Sequence, residues 1–389
     1  MTTRSGPGSI AQRLHRLPAS INSLKDLREH LQVALELEHS TIPPYLCALY
    51  SIREGTNQAA AAILQGIVME EMLHMAMVSN VLNAIGGHPR INHPGFVPDY
   101  PTYLPHSRRS FVVHLQKFSP QAIETCLRIE EPEQRDAVPE VERYHTIGQF
   151  YDALEAGLRN CWPRERRYAK SPSNRAKQIL PQDFYGAVRA ATVGSMGRAP
   201  RKLLLPIEVH DLRSALDALE VIVQQGEGVG RTILSGEAEE LGVPTDDPGD
   251  EQYAHFYRLK EIHEGRRYAE SQRRRGAPPG LDPAGEELLI DWTAVYNMQT
   301  DPAMTGHPEG GEIRVKLRDF NCTYTTLLDH LHWGFNGQKE RLVSAVGLMY
   351  DLKYKAVALM RVPSGYGDTS VGPSFEYVLP EKGPRRWKL

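Results

Sequence analysis

The sequence predicts an all-α protein: a four-helix bundle with a long crossover and an additional C-terminal helical segment. Three observations support this prediction. Apolar residues recur at helical spacing in several long runs, a proline-rich stretch separates the second run from the third, and a segment rich in Arg, Gly and Pro precedes the last two runs. At 389 residues the chain is long enough for one large domain or two ordinary ones.

The first two helices are predicted from about Ser23 to Arg53 and from about Thr56 to Ile85. Their short connection favours an antiparallel hairpin. A pair of glycines and then a proline follow the second helix, a pattern that supplies a left-handed cap and prevents continuation. Pro43 and Pro44 remove two backbone donors inside the first helix, so we expect a kink there.

Residues 87 to 140 contain many prolines and are predicted to form the crossover. They include a β-branched stretch at Phe111–Leu115 and a short helix near Pro120–Ile129, and no chemistry is expected from them. Three more helices are predicted, at about Val141–Asn160, Val209–Gly226 and Glu251–Tyr268.

Two domains are expected. Residues 1–272 would form the metal-binding bundle, and residues 273–280 would form a linker because their arginines, glycines and prolines sustain no amphipathic pattern. Residues 281–389 carry helical patterns at about Cys322–Phe335 and Lys339–Met360. Two such helices alone bury too little apolar surface, so we expect this segment to pack on the bundle and help to enclose a substrate cavity.

Composition favours a cytoplasmic protein. The charge balance of 45 basic and 48 acidic residues, a formal net charge of -3, predicts neither nucleic acid nor an anionic membrane as a partner. No apolar run approaches the roughly 20 residues of a membrane span, and the start of the chain has no signal-like apolar core. The four cysteines are scattered without metal-finger spacing, which fits a reducing compartment.

Polar residues on the apolar helix stripes predict a metal site. Glu38 lies on the stripe of the first helix, and Glu71 and His74 lie on that of the second, whereas Glu36 and Glu70 are expected to point elsewhere. A buried carboxylate costs several kcal/mol unless it is paired or metal-bound. A divalent metal held by a Glu and a Glu-x-x-His pair therefore explains the pattern. A buried Glu–His hydrogen bond without metal is the alternative.

The remaining ligands are less defined by pattern alone. His255 lies on the stripe of the helix that contains it, and Tyr45 could hold a ligand carboxylate or be an ordinary core residue. The carboxylate and histidine candidates from the later helices are Glu227 and His255, then the pair Glu142 and His145, with Glu155 and Glu220 as further alternatives.

Several segments resemble the ferritin-like domain of the iminophenyl-pyruvate dimer synthase family, whose enzymes act in bisindole alkaloid pathways. They are LELEHSTIPPYLCALYSI at 35–52, VMEEMLHMAMVSNVLNAIGGHPRI at 68–91, IVQQGEG at 222–228 and HFYRLKEI at 255–262. The resemblance covers about residues 24 to 270. It implies a ferritin-like fold, and on matching positions it implies these metal ligands: Glu38, Glu71, His74, Glu227 and His255.

The resemblance also shows two departures. Some relatives have Glu where this chain has Gln149, so one or two iron ions are both expectations, and the dimer synthases are much longer than this chain.

These observations predict a non-haem, di-iron oxidase or oxygenase that uses dioxygen or peroxide on a small organic substrate in specialised metabolism. A homo-oligomer is a further expectation. Two alternative functions stay open: a metal-storage bundle without organic substrate, and an enzyme like the imine dimer synthases. A haem in place of iron ions also stays open.

Overall fold

The computed structural model describes residues 17–18, 20–103, 112–131, 147–165, 168–183, 205–227, 253–269, 272 and 282–379. The α-helices are α1 Leu24–Ser51, α2 Gln58–Ala84, α3 Pro120–Ile129, α4 Ile147–Glu165, α5 Pro172–Lys177, α6 Leu212–Glu227, α7 His255–Glu264, α8 Glu312–Phe335 and α9 Glu340–Leu359. Strands β1 Thr102–Tyr103 and β2 Val112–Val113 pair antiparallel.

A closed four-helix bundle forms the centre of the molecule. Helix α1 packs on α2, α2 on α6, α6 on α4, and α4 returns to α1. Helices α3 and α7 pack on each other and also contact α1 and α2 respectively. The predicted all-α bundle with a crossover is confirmed, and the crossover helix α3 lies against the bundle rather than away from it.

Local interactions explain how α1 begins and how it tolerates two prolines. At its start the Ser23 hydroxyl accepts from the Asp26 N–H, and the Asp26 carboxylate accepts from the Ser23 N–H, both at 3.1 Å. Pro44 offers no N–H to the Ser40 carbonyl one turn earlier. The Tyr100 hydroxyl donates to that carbonyl instead, at 2.6 Å. The helix therefore continues through the proline pair.

Helix α2 ends as its sequence predicts, because Gly86 adopts the left-handed conformation with φ of 71°. Among the helices that the structure describes, α2 is the one long and apolar enough to cross a membrane by length and composition. Yet 67% of its most apolar window is buried inside the protein. A core helix passes the same test, and α2 occupies that position here.

Several predicted boundaries need correction. Helix α8 begins at Glu312, ten residues before the predicted start, because three basic residues between its apolar positions obscure the helical periodicity. Helix α7 ends before Gly265, whose φ is 64°, rather than at Tyr268. The predicted start of the third helix at 141–146 and the linker at 273–280 lie outside the described residues.

The C-terminal segment packs directly on the bundle. The Tyr324 hydroxyl on α8 lies 2.8 Å from His39 Nε2 on α1, and the Asn83 amide on α2 donates to the Phe335 carbonyl at 2.8 Å. One hydrophobic cluster includes residues from α1, α2, α8 and α9. The division of the chain at 272 and 281 stays a prediction.

Asn80 joins α2 to two loop segments that precede α6. Its Nδ2 donates to the carbonyls of Ile179 at 2.8 Å and Ile207 at 2.9 Å, and its Oδ1 accepts from the Ile179 N–H at 2.7 Å. The side chain is fully buried. Its loss would leave three backbone groups without these partners in a place that water does not reach.

We expect Asn80→Ala to lower the free energy of unfolding by about 3 kcal/mol, since each orphaned buried group costs about 1–3 kcal/mol. Urea denaturation followed by circular dichroism measures this change. The matched control is Asn22→Ala, an exposed asparagine whose side chain donates to nearby Ser20, and it should change stability by less than about 0.5 kcal/mol. Equal effects of the two substitutions would show that the Asn80 bonds contribute little.

His332 is a buried histidine between the bundle and α8. Its Nδ1 accepts from the Ile91 N–H at 3.5 Å, and its ring meets that of His88 edge-on at 5.5 Å. Burial, together with the nearby His88 and His93, lowers the pKa of His332 to about 4. These contacts are those of a packed, buried histidine. His330 likewise lies near a backbone carbonyl, that of Arg341 at 3.3 Å.

The pKa of His332 predicts acid sensitivity. Its folded-state pKa of about 4 lies below the ordinary value of 6.5, so its contribution to stability is present above pH 6.5 and is lost as the pH falls toward 4. We expect wild type to lose on the order of 1 kcal/mol more than His332→Gln between pH 7 and pH 5. Urea denaturation at both values measures it, with His263→Gln, an exposed histidine, as control. An equal loss in wild type and His332→Gln would contradict this assignment.

Candidate metal centre

The α1–α2 hairpin brings the predicted Glu and Glu-x-x-His residues together. His74 Nδ1 lies 3.1 Å from Glu38 Oε2 and 3.8 Å from Glu71 Oε2. All three side chains are buried. Antiparallel packing places the middle of α1 beside the middle of α2, which is why residues far apart in sequence meet here.

A second group forms around His255, the first residue of α7. Its Nδ1 lies 3.0 Å from Glu71 Oε1 and 3.5 Å from Glu130 Oε1. In each group the ligand atoms lie within 4.8 Å of one another. The two groups share Glu71, whose two oxygens face different histidines. The rings of His74 and His255 stack at 5.5 Å.

Hydroxyl groups hold the three carboxylates. The Tyr151 hydroxyl on α4 donates to Glu38, and the Thr41 hydroxyl donates to Glu71 Oε2 at 3.0 Å. The Tyr45 hydroxyl donates to Glu130 Oε1 at 2.6 Å. Of the two readings of Tyr45 from sequence, the structure supports the one in which it holds a carboxylate.

The outer nitrogens of the histidines are also occupied. His74 Nε2 lies 2.6 Å from Gln225 Oε1, and His255 Nε2 lies 2.8 Å from Glu70 Oε2. The guanidinium of Arg258 donates to both oxygens of Glu70. When a ring N–H is donated outward, the other ring nitrogen presents its lone pair inward, as in many metal sites.

The prediction that Glu70 faces away from the core is wrong. Glu70 is only 6% exposed, because α7 covers the face of α2 on which it lies. Glu36 is also buried, at 3% exposed, because several other helices pack on α1 and cover more than one of its faces. An apolar stripe identifies the most apolar face of a helix but not the other faces that a surrounding fold covers.

The electrostatics of the centre depend on close pairing. Burial opposes charge on His74, but the carboxylates of Glu38 and Glu71 outweigh it and raise the pKa of His74 to about 10. Burial is likewise outweighed at His255, whose pKa Glu130 helps to raise. Burial also opposes ionisation of Glu71, yet both histidines lower its pKa, whereas burial raises the pKa of Glu38. Imidazolium protons neutralise the carboxylates, and a metal would replace those protons.

The donor set fits a metal ion such as iron. Carboxylate oxygens and imidazole nitrogens converge from five buried side chains, and these are the ligand types of non-haem iron. His255 Nδ1 is buried and makes no hydrogen bond, although two carboxylates lie near it. A metal would satisfy this nitrogen. The alternative from sequence, a Glu–His hydrogen bond, also finds its contact between Glu38 and His74.

The other candidates differ in position. Glu155 pairs with Arg159 at 3.6 Å, and Glu220 is exposed, so neither joins the two groups. Glu227 ends α6, but its side chain lies outside the described residues. The alternative pair at positions 142 and 145 also lies outside them.

Sequence analysis missed Glu130, because the crossover was expected to carry no chemistry. A signal for it existed. Ile123 and Cys126 are buried on α3, and Glu130 follows them at spacings of seven and four residues, on the same face. The stripe argument that identified Glu38 would have identified Glu130 as well.

A cavity of ≈ 30 Å³ adjoins the first group, which is room for one or two water-sized molecules. Gly226 lies beside Glu130: a Cβ at this position would be 3.4 Å from Glu130 Oε2, an ordinary van der Waals contact. The cavity is lined by Leu37, Glu38, Thr41, Glu71, His74, Ile129, Glu130, Ile147, Ile222, Val223 and Gly226. None of these belongs to 282–379, so among the described residues the C-terminal segment does not help to form this cavity.

Comparison with known proteins gives the same fold. A sequence profile described as ferritin-like matches residues 31–264, which is more than half of the chain. The chain belongs to the ferritin-like family. This ferritin-like protein is 24% identical over 355 residues to a dichlorochromopyrrolate synthase of Lentzea aerocolonigenes, a match that covers 83% of this chain and 30% of the relative. The chain thus spans about a third of that relative's length, and the predicted resemblance is confirmed.

A solved structure supports the ferritin-like fold further. The crystal structure of a ferritin-like protein from Caulobacter vibrioides aligns with a TM-score of 0.56, covering 90% of this chain and 97% of the other. The identity of 22% means that this likeness concerns the fold alone.

We expect Glu71→Ala to abolish metal binding in this ferritin-like protein, and His74→Ala to abolish it at the group of Glu38, Glu71 and His74. Helical content should stay largely intact in both variants, because the surrounding apolar residues supply the packing. Elemental analysis after metal loading and desalting gives metal per chain, and far-ultraviolet circular dichroism gives helicity. Glu220→Ala, an exposed carboxylate on α6, is the matched control and should keep the wild-type content. Full metal content in both Glu71→Ala and His74→Ala would show that the metal binds elsewhere.

Proposed function

We propose that this ferritin-like protein is a non-haem, di-iron oxidase or oxygenase that uses dioxygen or peroxide on a small organic molecule. The observation that carries the proposal is the pair of buried nitrogen and oxygen groups that share Glu71 beside a small cavity. Iron held there would supply one-electron redox chemistry and activation of the oxidant.

The protein residues would orient the carboxylate groups that hold the iron. Glu71 would span the two groups, since its two oxygens face different histidines. Tyr151 and Tyr45 each hold a hydroxyl proton against a carboxylate oxygen, which fixes the direction of the lone pairs that remain. The Thr41 hydroxyl does the same for Glu71.

The cavity supports a small neutral oxidant at this place. Five of the side chains that line it are apolar: Leu37, Ile129, Ile147, Ile222 and Val223. Its described lining residues include no Lys or Arg. Dioxygen and peroxide are of the size that the cavity admits.

A second candidate reaction is the joining of two amino-acid-derived imines. The match to a protein named dichlorochromopyrrolate synthase favours it. Incubation of the iron-loaded protein with indole or phenyl pyruvate imines, followed by mass spectrometry, tests this reaction: a product of twice the substrate skeleton supports it, and unchanged substrate opposes it.

Anaerobic loading with Fe(II) followed by addition of oxygen distinguishes an oxidase from a storage protein. We expect a fixed stoichiometry of one or two iron ions per chain and a transient absorption band, because the donor set is limited and enclosed. Elemental analysis and stopped-flow absorbance measure the two quantities. Glu71→Ala should lose both. Slow mineralisation of many iron ions per chain would instead indicate storage.

A further inference from the structure

The Nε2 atoms of the two histidines of the centre contact chemically different partners. His74 Nε2 meets the neutral amide of Gln225 at 2.6 Å, whereas His255 Nε2 meets the carboxylate of Glu70 at 2.8 Å. The two groups have other features in common: each has one carboxylate of its own that accepts from a tyrosine hydroxyl, and both share Glu71. Within the described residues, the side chain at the outer nitrogen of each imidazole therefore differs in charge between the two groups.

This asymmetry affects the strength of a metal–nitrogen bond. A carboxylate that accepts the outer N–H of an imidazole increases the electron density at the inner nitrogen, and an amide oxygen does so less. Removal of such a partner typically costs about 10- to 100-fold in metal affinity. His255 should therefore be the stronger donor of the two histidines.

Arg258 holds Glu70 in place. Its guanidinium donates to both Glu70 oxygens, and the two side chains are 11% and 8% exposed. The carboxylate thus has one fixed orientation in which Oε2 faces the ring of His255.

Resting on the proposed function, we propose that the two groups bind metal with unequal affinity, and that the group of Glu71, Glu130 and His255 fills first. Glu70 then acts as a positioning residue for that group through His255, and Gln225 does so for the group of His74. The centre would hold one metal tightly and a second one more weakly, so a singly loaded form exists over a defined range of metal concentration.

Stepwise titration tests the order of filling. Metal-free full-length protein is titrated anaerobically with Co(II), with calorimetry for affinity and visible absorption for the ligand field. We expect two steps separated by at least about 10-fold. We call the binding of the first, higher-affinity Co(II) the tight step and that of the second the loose step. Glu130→Gln should weaken the tight step, because Glu130 belongs only to the His255 group, and Glu38→Gln should weaken the loose step.

A matched pair of substitutions exchanges the side-chain groups that contact the outer nitrogens of His255 and His74. Glu70→Gln places an amide behind His255, and we expect the tight step to weaken by about 10-fold and the absorption of the first Co(II) equivalent to shift. Gln225→Glu places a carboxylate behind His74 and should strengthen the loose step. Circular dichroism checks that both variants fold. A purely structural role of Glu70 would not produce a spectral shift confined to the first equivalent.

Contrary outcomes are distinct. Two equal steps in wild type, or loss of the tight step in Glu38→Gln rather than Glu130→Gln, would overturn the proposed order. Absence of any Co(II) or Fe(II) binding by wild type would overturn the proposed function itself. If Glu70→Gln failed to fold, the comparison of Glu38→Gln with Glu130→Gln would still decide the order.

Discussion

Four carboxylates that have almost no contact with water set the main constraint on this fold. Each must be neutralised or hydrogen-bonded, since an unpaired buried carboxylate costs several kcal/mol. The partners come from many elements: Tyr151 on α4, Tyr45 and Thr41 on α1, His74 on α2, and His255 and Arg258 on α7. The network therefore fixes the helices relative to one another, and the apolar packing around it supplies most of the stability.

The residues that helical periodicity selects, Glu38, Glu71 and His74, lie together in the structure, and their role as metal ligands stays a prediction. Glu38, Glu71 and His74 follow from one helical stripe each, because two long antiparallel helices meet at mid-height whatever else the chain does. Glu70 was misjudged because the stripe argument assumes one buried face per helix. A better signal was present: α2 has 27 residues, and Glu70 and Glu71 are its only acidic or basic ones apart from histidine. A helix with so little charge has no solvated face on which to place Glu70.

Glu130 and Gln225 show a different limit of sequence reasoning. Both lie near the ends of amphipathic helices, but their meeting with the histidines depends on how α3, α6 and α7 pack together. That packing follows from long-range contacts rather than local periodicity. The same holds for the C-terminal segment, whose helices were predicted but whose contact with His39 and Asn83 was not.

The hydrogen bond from the Tyr100 hydroxyl to the Ser40 carbonyl connects the crossover to α1 close to the candidate metal centre. Two prolines interrupt the backbone ladder of α1 immediately after the stretch that carries Glu38 and Thr41, and a side chain from outside the helix restores a missing link. The backbone of α1 beside the candidate metal centre thus depends on a hydrogen bond from a residue 60 positions away in sequence. A substitution in the crossover would therefore shift the candidate ligands of α1, even where none of them is replaced.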